Sequence, residues 1–318
     1  MKAVALAPPG PSHQVDTAES AARKPTKPSW SRRLTPYGFL SPTLILLIIL
    51  MITPIVMVIG YSFLDRVITA PNSAFVGFSN YAQVLTDPAF FIAVRNTVVF
   101  AGVSVIAHFV LGMGFALMLN SPLIGRHAKA IFRTIYILPW LFTIAIVAVL
   151  WRMILSPNGI VNFFVTELGF TDTQIGWLSD PSLALPAVTF INIWCGYPFF
   201  MVSLLAGLQG ISRELYEAAR IDRAGPIKQF IHITIPQLRP IIISMALLDF
   251  IWTTQQFALI WMTTGGGPIN ATEMVSTFTY KLAFSRYEFS VASASAVIVF
   301  VLSMVLAYFY VRHQKARD

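Results

Sequence analysis

Six apolar runs alternate with short polar stretches along the chain, and their length is the first fact that constrains the fold. A hydrocarbon layer about 30 Å thick is crossed by roughly 20 mostly apolar residues in helical form. Runs of that kind fall at 37–64, 91–119, 132–154, 183–208, 238–262 and 289–311. The pattern predicts an all-α membrane protein with six transmembrane helices. Pro42, Pro54, Pro139, Pro186 and Pro198 lie inside the runs. Neighbouring helices can re-satisfy the carbonyls they free, so they are read as kinks rather than breaks.

Composition agrees with the pattern. The chain has 318 residues, 56% hydrophobic and 11% charged, where a soluble domain carries about 25% charged residues. Its net charge of +8 would fit nucleic acid only if the basic residues were gathered on one surface. Instead they sort by loop: six Lys or Arg precede the first run, three lie in 120–133, five lie between run four and the first turn of run five, Arg239 included, and three follow run six. The remaining five fall on the other side, which by the positive-inside rule makes both termini cytoplasmic. The single cysteine, Cys195, sits in an apolar run and is read as a packing residue. Residues 1–33 are rich in Pro, Ser, Ala and Lys, have no apolar stretch of signal-peptide length, and are expected to be a disordered tail.

The loops carry further signals. In 65–90, Asn80-Tyr81 and Asp87-Pro88 are turn or helix-start pairs between aromatic residues. In 155–182, amphipathic pieces with Trp and Phe suit a membrane interface, as lids or as packing loops. The basic inner loop 120–133 is expected to fix orientation and meet lipid headgroups. No fixed-period repeat is visible, which leaves solenoid and obvious inverted-repeat architectures unsupported.

The charged break between runs four and five, 210–236, is different in kind. Ser212 can cap a helix with Glu214 in its first turn and an Arg213/Glu217 pair at i,i+4. That helix is predicted over 213–224. Gly225-Pro226 then starts a second short helix, and Pro236 is expected to end it before run five. Leu215, Ala218, Ala219 and Phe230 are apolar or small, whereas Glu217, Arg220, Asp222 and Arg223 are charged. Composition allows a helix lying on lipid headgroups or a docking element for a soluble partner, in which small Ala pairs permit close approach and Glu217 fixes register.

The pattern Glu217-Ala218-Ala219, Asp222, Ala224, Phe230, Ile233, Ile235-Pro236 and Pro240 resembles the "EAA" signature of ABC importer permeases. "TTGGGPINAT", 263–272, with the stretch that follows it, looks like the end of the permease domain in the carbohydrate branch of that family, related to the maltose and glycerol-3-phosphate systems. The resemblance implies a type I importer permease fold in a prokaryotic inner membrane, with the 210–236 loop as coupling helix. It implies docking of the ATPase on Glu217, Ala218, Ala219, Asp222, Arg223 and Gly225. The family usually has Gly directly after the Asp, where this chain has Arg223; the bend is expected to move to Gly225.

The chain lacks a G-x-x-x-x-G-K-[ST] loop, and Gly265-Gly266-Gly267 lacks the lysine and the strand-to-helix context of one. The chain is therefore read as binding no cofactor, and the resemblance implies that ATP and Mg sit on a separate pair of ATPase subunits. The resemblance further implies a second homologous permease, in keeping with six helices whose one polar face makes half a pathway, and an extracytoplasmic solute-binding protein. Membrane lipid is expected around the helices, and no nucleic acid. Five basic and seven acidic residues, Asp65, Asp87, Glu167, Asp172, Asp180, Glu273 and Glu288, make up the external charge.

Polar side chains inside spans are costly unless they face a cavity or a partner helix. At 100° per residue Asp249, Trp252, Thr253 and Gln256 share one face of run five, and run four adds Asn192, Trp194 and Tyr197. Amides and a carboxylate bind hydroxyls while indoles cover the apolar side of a sugar ring, so these seven are the substrate-pathway candidates. The competing reading has Asp249 and Gln256 holding a neighbouring helix and Trp261 anchoring at the interface. No Lys or Arg lies mid-span, which favours a neutral saccharide over an anion. His108 is read as a hydrogen-bonded packing residue. The alternative function is an ion-coupled carrier or channel using Asp249 and His108. Paired carboxylates, a metal cluster and a nucleophile–base pair are all lacking, which discounts an enzyme.

Overall fold

A computed structural model describes residues 30–315. The tail expected over 1–33 lies mostly outside the described residues. The described residues divide into two units on either side of the Pro54–Ile55 bond. Apart from one isolated bridge between Leu64 and Phe75, no β-structure occurs among the described residues.

The first helical run comprises α1 (Trp30–Leu47), a π-turn (Ile48–Ile52) and α2 (Thr53–Tyr61). Its π-turn has a clear cause. Pro54 has no N–H to give and its ring would press on a carbonyl one turn earlier; the chain widens just before it, and Thr53 donates both its amide and, at 3.1 Å, its hydroxyl to Ile48 O. The helical run is not broken at Pro54, as the pattern predicted.

The remaining elements are α3 (Ser79–Thr86), α4 (Pro88–Asn120), α5 (Arg126–Leu141), α6 (Ile144–Ile154), α7 (Ile160–Glu167), α8 (Ala184–Gln209), α9 (Arg213–Ile221), α10 (Pro226–Gln229), α11 (Ile235–Thr254), α12 (Ala258–Thr263), α13 (Val275–Phe284) and α14 (Phe289–Lys315). Asp87 caps α4, its carboxylate accepting from Ala89 N at 2.8 Å with Pro88 in the first turn. Before α8, Asp180 accepts from the Ser182 hydroxyl at 2.6 Å and amide at 2.7 Å, which holds its carboxyl below the usual value.

Among the described residues five helical runs are long and apolar enough to span a membrane, or six if the bent pair α5–α6 counts as one span. Three expectations are corrected here. Run three is broken: α5 and α6 meet at 96°. Pro139 is buried inside α5, and two residues past its end Thr143 caps a fresh helix through Ile146 N. Pro139 thus belongs to a break. Run five ends at Thr254, and Trp261 sits instead on α12, stacked on Phe257 and 4.6 Å from the Tyr280 ring. Pro236 ends nothing. A second π-turn, Phe230–Thr234, again placed two residues before a proline, carries α10 straight into α11.

α4 lies along α8 as the most extensive helix pair, with α11 packed against both. Close approach is possible because Gly112 sits directly on the Phe200–Met201 backbone and Gly207 against Leu238 and Ile241. Leu204, Leu208, Ala116 and Leu119 fill that seam. A second core joins α6, α8 and α12 around Phe100, Ile191 and Ile260, and a third joins α3, α4, α13 and α14.

Candidate functional site

The helical stripe Asn192, Cys195, Gly196 and Phe199 of α8 faces His108 of α4 and Asp249, Trp252, Thr253 and Gln256 of α11 and its C-terminal turn. Together with Trp140 and Ile144 beside the α5–α6 break, they enclose a cavity of about 140 Å³. Its polar side is Asp249, Asn192, Thr253 and Gln256. Its apolar side is aromatic: Trp252 lies 5.4 Å from Phe199, and Phe199 lies 6.2 Å from Trp140. Formed ligand pockets run to roughly 300–1,000 Å³, so this cavity holds part of a site. Trp252 and Trp140 are about half exposed, at 55% and 52%, and leave one side open.

Five of the seven pathway candidates line this cavity. Trp194 and Tyr197 do not: Trp194 stands edge-on to Trp151 at 5.5 Å, and Tyr197 is buried 5.2 Å from Phe115. The physical reason is rotation, since at 100° per residue positions 194 and 197 turn well away from the 192/195/196/199 stripe. Trp140 and Phe199 were missed. Trp140 follows Pro139 at the broken span, which was the available signal. Cys195 is buried in the core, as expected of a packing residue, and also reaches the cavity.

His108 is hydrogen-bonded, as read from sequence. Its Nδ1 lies 2.7 Å from Asp249 Oδ2 and its Nε2 lies 3.1 Å from Asn192 O, linking α4, α8 and α11. Asp249 therefore does both jobs that competed in the sequence: it holds a neighbouring helix and lines the cavity.

Beyond the end of α8, Ser212 accepts from Glu214 N at 3.3 Å and opens α9 as predicted. No residue of α9 is buried. Glu217, Ala218, Asp222, Arg223 and Gly225 are exposed and Ala219 is partly so. Ile221 (83% exposed) and Ile227 (74%) project beside them. These two were not singled out in the sequence, where an isolated Ile in a charged segment is a weak signal. The i,i+4 pair is not made: among the described residues Arg213 and Glu217 form no ion pair, as two long solvated side chains gain little by meeting.

The bend also departs from expectation. Arg223 itself takes φ +56°, while Gly225 is extended at φ −67°. Ala224 N bonds Ala219 O at 2.8 Å and Arg223 N bonds Arg220 O at 3.0 Å, a Schellman closure that requires its αL residue directly after the Asp222 cap. The helix end dictates the position, and the side chain adapts to it. The hydroxyls of Tyr216 and Thr234, 2.9 Å apart, and Gln229, 2.7 Å from Ala224 O, pin the loop to α10 and the π-turn.

At the opposite end of the helices the loop 263–274 is clamped. Asn96 donates to Asn270 O, Ala271 O and Glu273 O, each at 3.1 Å. Glu273, counted from sequence among the external charges, is buried and paired with Lys281 and Thr277. It is a structural residue.

Residues 108–317 match the family described as the binding-protein-dependent transport system inner membrane component. The chain belongs to this family. The permease is 32% identical to the sulfoquinovosyl glycerol transport system permease SmoG of Agrobacterium fabrum, over 92% of this chain and 96% of that one. It is 34% identical to the trehalose/maltose transport permease MalF of Thermococcus litoralis, over 87% and 92%. A bacterial alginate ABC transporter, solved with its alginate-bound periplasmic protein, matches with a TM-score of 0.76 at 25% identity, covering 88% of this permease and 93% of that chain. The ion-coupled carrier reading is not favoured, and the protein is an inner-membrane transport subunit.

Proposed function

We propose that the permease is one of two membrane subunits of an ATP-driven, binding-protein-dependent importer of a neutral sugar or oligosaccharide. The cavity lining carries the substrate reading: amide, hydroxyl and carboxylate groups face indole and phenyl rings, and neither Lys nor Arg is present. Related transporters take trehalose or maltose in one case and the acidic polysaccharide alginate in another. An anionic chain would call for a cation in the wall. The open side of the cavity, beside Trp252 and Trp140, would be closed by the second, homologous permease.

The α9–α10 loop is the docking element for a separate ATPase pair, which holds ATP and Mg while this chain holds no cofactor. Its exposed Glu217, Ala218, Asp222, Ile221 and Ile227 support that role, since a helix with no buried residue has its contacts elsewhere. This loop and both termini face the cytoplasm, and the clamped 263–274 end faces the solute-binding protein. Rigid-body rocking of the helices then switches access from one side to the other.

The test is deletion of 213–224 in the assembled importer. Uptake of radiolabelled maltose or trehalose should fall to background and the ATPase should dissociate, with membrane insertion unchanged. Undiminished uptake by the inserted deletion variant, or solute accumulation by the purified chain alone under an ion gradient, would overturn the reading.

A further inference from the structure

The wall of the cavity contains one arrangement that its role as lining does not explain. His108 is 1% exposed and reaches acceptors with both ring nitrogens. Asn192 O is a helical carbonyl and can only accept, so Nε2 must carry a hydrogen. At 2.7 Å, Nδ1 and Asp249 Oδ2 then share one further proton, either as imidazolium with carboxylate or as imidazole with carboxylic acid. Both arrangements have zero net charge. No other charged side chain lines the cavity.

The backbone is shaped for this contact. A Cβ at Gly196 would run into His108 Cε1 and Nε2, so only glycine lets the ring edge lie on α8. With Oδ2 engaged, Asp249 Oδ1 has the Thr253 hydroxyl, at 3.5 Å, as its one hydrogen-bond partner among the described residues. Asn192 Nδ2 is buried without a partner. Spare acceptor and spare donor thus stand on the two residues that the imidazole ties together. A hydroxyl, which both donates and accepts, is the neutral group that can pair with either of them.

We propose that His108 is a positioning residue: it neutralises Asp249 and locks it to the Asn192 backbone, so that Asp249 Oδ1 and Asn192 Nδ2 read hydroxyl groups of an uncharged solute. The inference rests on the sugar-import reading for its ligand class, while the lock itself is independent of it.

The test uses the full chain in its assembled importer in nanodiscs. Nitrogen NMR of the histidine-labelled chain, which has five histidines, assigns His108 by the signal lost in His108→Gln. The expected ring is protonated at Nε2, with a hydrogen-bonded Nδ1 signal that Asp249→Leu removes. A ring bare at Nε2 would overturn the lock. In transport, with subsaturating radiolabelled maltose and trehalose as probes, His108→Gln keeps a hydrogen-bond donor for Asp249 but not the shared proton, and should lose less than His108→Leu. His108→Leu strands a buried carboxylate and should lose about tenfold to a hundredfold. Adding Asp249→Asn to His108→Leu should recover part of that loss. A residue that merely fills space gives the opposite order, with Leu equal to or better than Gln, and that order would sink the proposal. If the parent complex moves neither sugar, the substrate reading falls and the nitrogen spectrum still decides the lock.

Discussion

The cavity wall and the α9–α10 loop are consecutive in the chain, α8 ending at Gln209 and α9 starting at Arg213, yet they are held by opposite means. In the helices that carry the wall, Gly112, Gly196 and Gly207 let neighbours touch, and buried His108 and Asp249 tie them across. In the loop nothing of α9 is buried, and two side-chain hydrogen bonds keep it in place. Fold stability concentrates where contacts are dense, and local opening concentrates where they are few. A transport subunit needs both, because a force applied at the loop can move the helices only if the loop is free to engage and the wall is stiff enough to respond.

The comparison breaks most readily at Gly112. A Cβ there would lie 2.5 Å from Phe200 Cβ and 2.9 Å from Met201 N, and the second of these is backbone that cannot rotate away. Overpacking of this sort costs about 1–3 kcal/mol. Gly112→Ala should therefore lower the thermal midpoint of the purified permease measurably. An unchanged midpoint would mean that the α4–α8 seam is looser than described.

Much of this contrast was readable in the sequence. Six apolar runs, the capping Ser212, the Asp87-Pro88 start and the shared face of Asp249, Trp252, Thr253 and Gln256 all follow from period and local chemistry. The failures have one origin each. The 96° break after Pro139 depends on Thr143 capping a new helix, which a hydropathy run conceals. Trp194 and Tyr197 share polarity with Asn192 but stand at another angle on α8, and polarity alone does not show that. The lock of His108 onto Asp249 joins residues 141 apart in sequence, and no local rule places them together. The two π-turns have a repeated signature that could have been used: each ends two residues before a proline, at Pro54 and Pro236.

A smaller effect separates two helix ends that close in the same way. At the end of α7, Gly169 takes φ +73°, with Phe170 N on Val165 O and Gly169 N on Thr166 O, both at 3.0 Å. Arg223 at the end of α9 makes the same two bonds with a side chain present. The αL conformation costs an L-residue roughly 1–2 kcal/mol, partly offset by the entropy that glycine loses on folding, about 0.5–1 kcal/mol. Arg223→Gly should stabilise α9 by about 0.5–1 kcal/mol, and Gly169→Ala should destabilise α7 by about 1 kcal/mol. Hydrogen exchange of the α9 and α7 amides in the full chain reads each change locally. Weaker protection of α9 in Arg223→Gly would show that the guanidinium holds the turn through contacts that outweigh its strain.

The smallest change in stability belongs to Glu217, and there the two regions separate most sharply. Its side chain is exposed and makes no ion pair among the described residues, so Glu217→Ala should move the thermal midpoint by no more than about 0.5 kcal/mol equivalent. The same substitution should abolish solute-stimulated ATP hydrolysis in the assembled importer, because a surface carboxylate that fixes register matters only when the partner is seated on it. A loss of stability without a loss of coupling would reverse the assignment and make α9 part of the scaffold. The two measurements on one variant therefore say whether this helix belongs with the wall or apart from it.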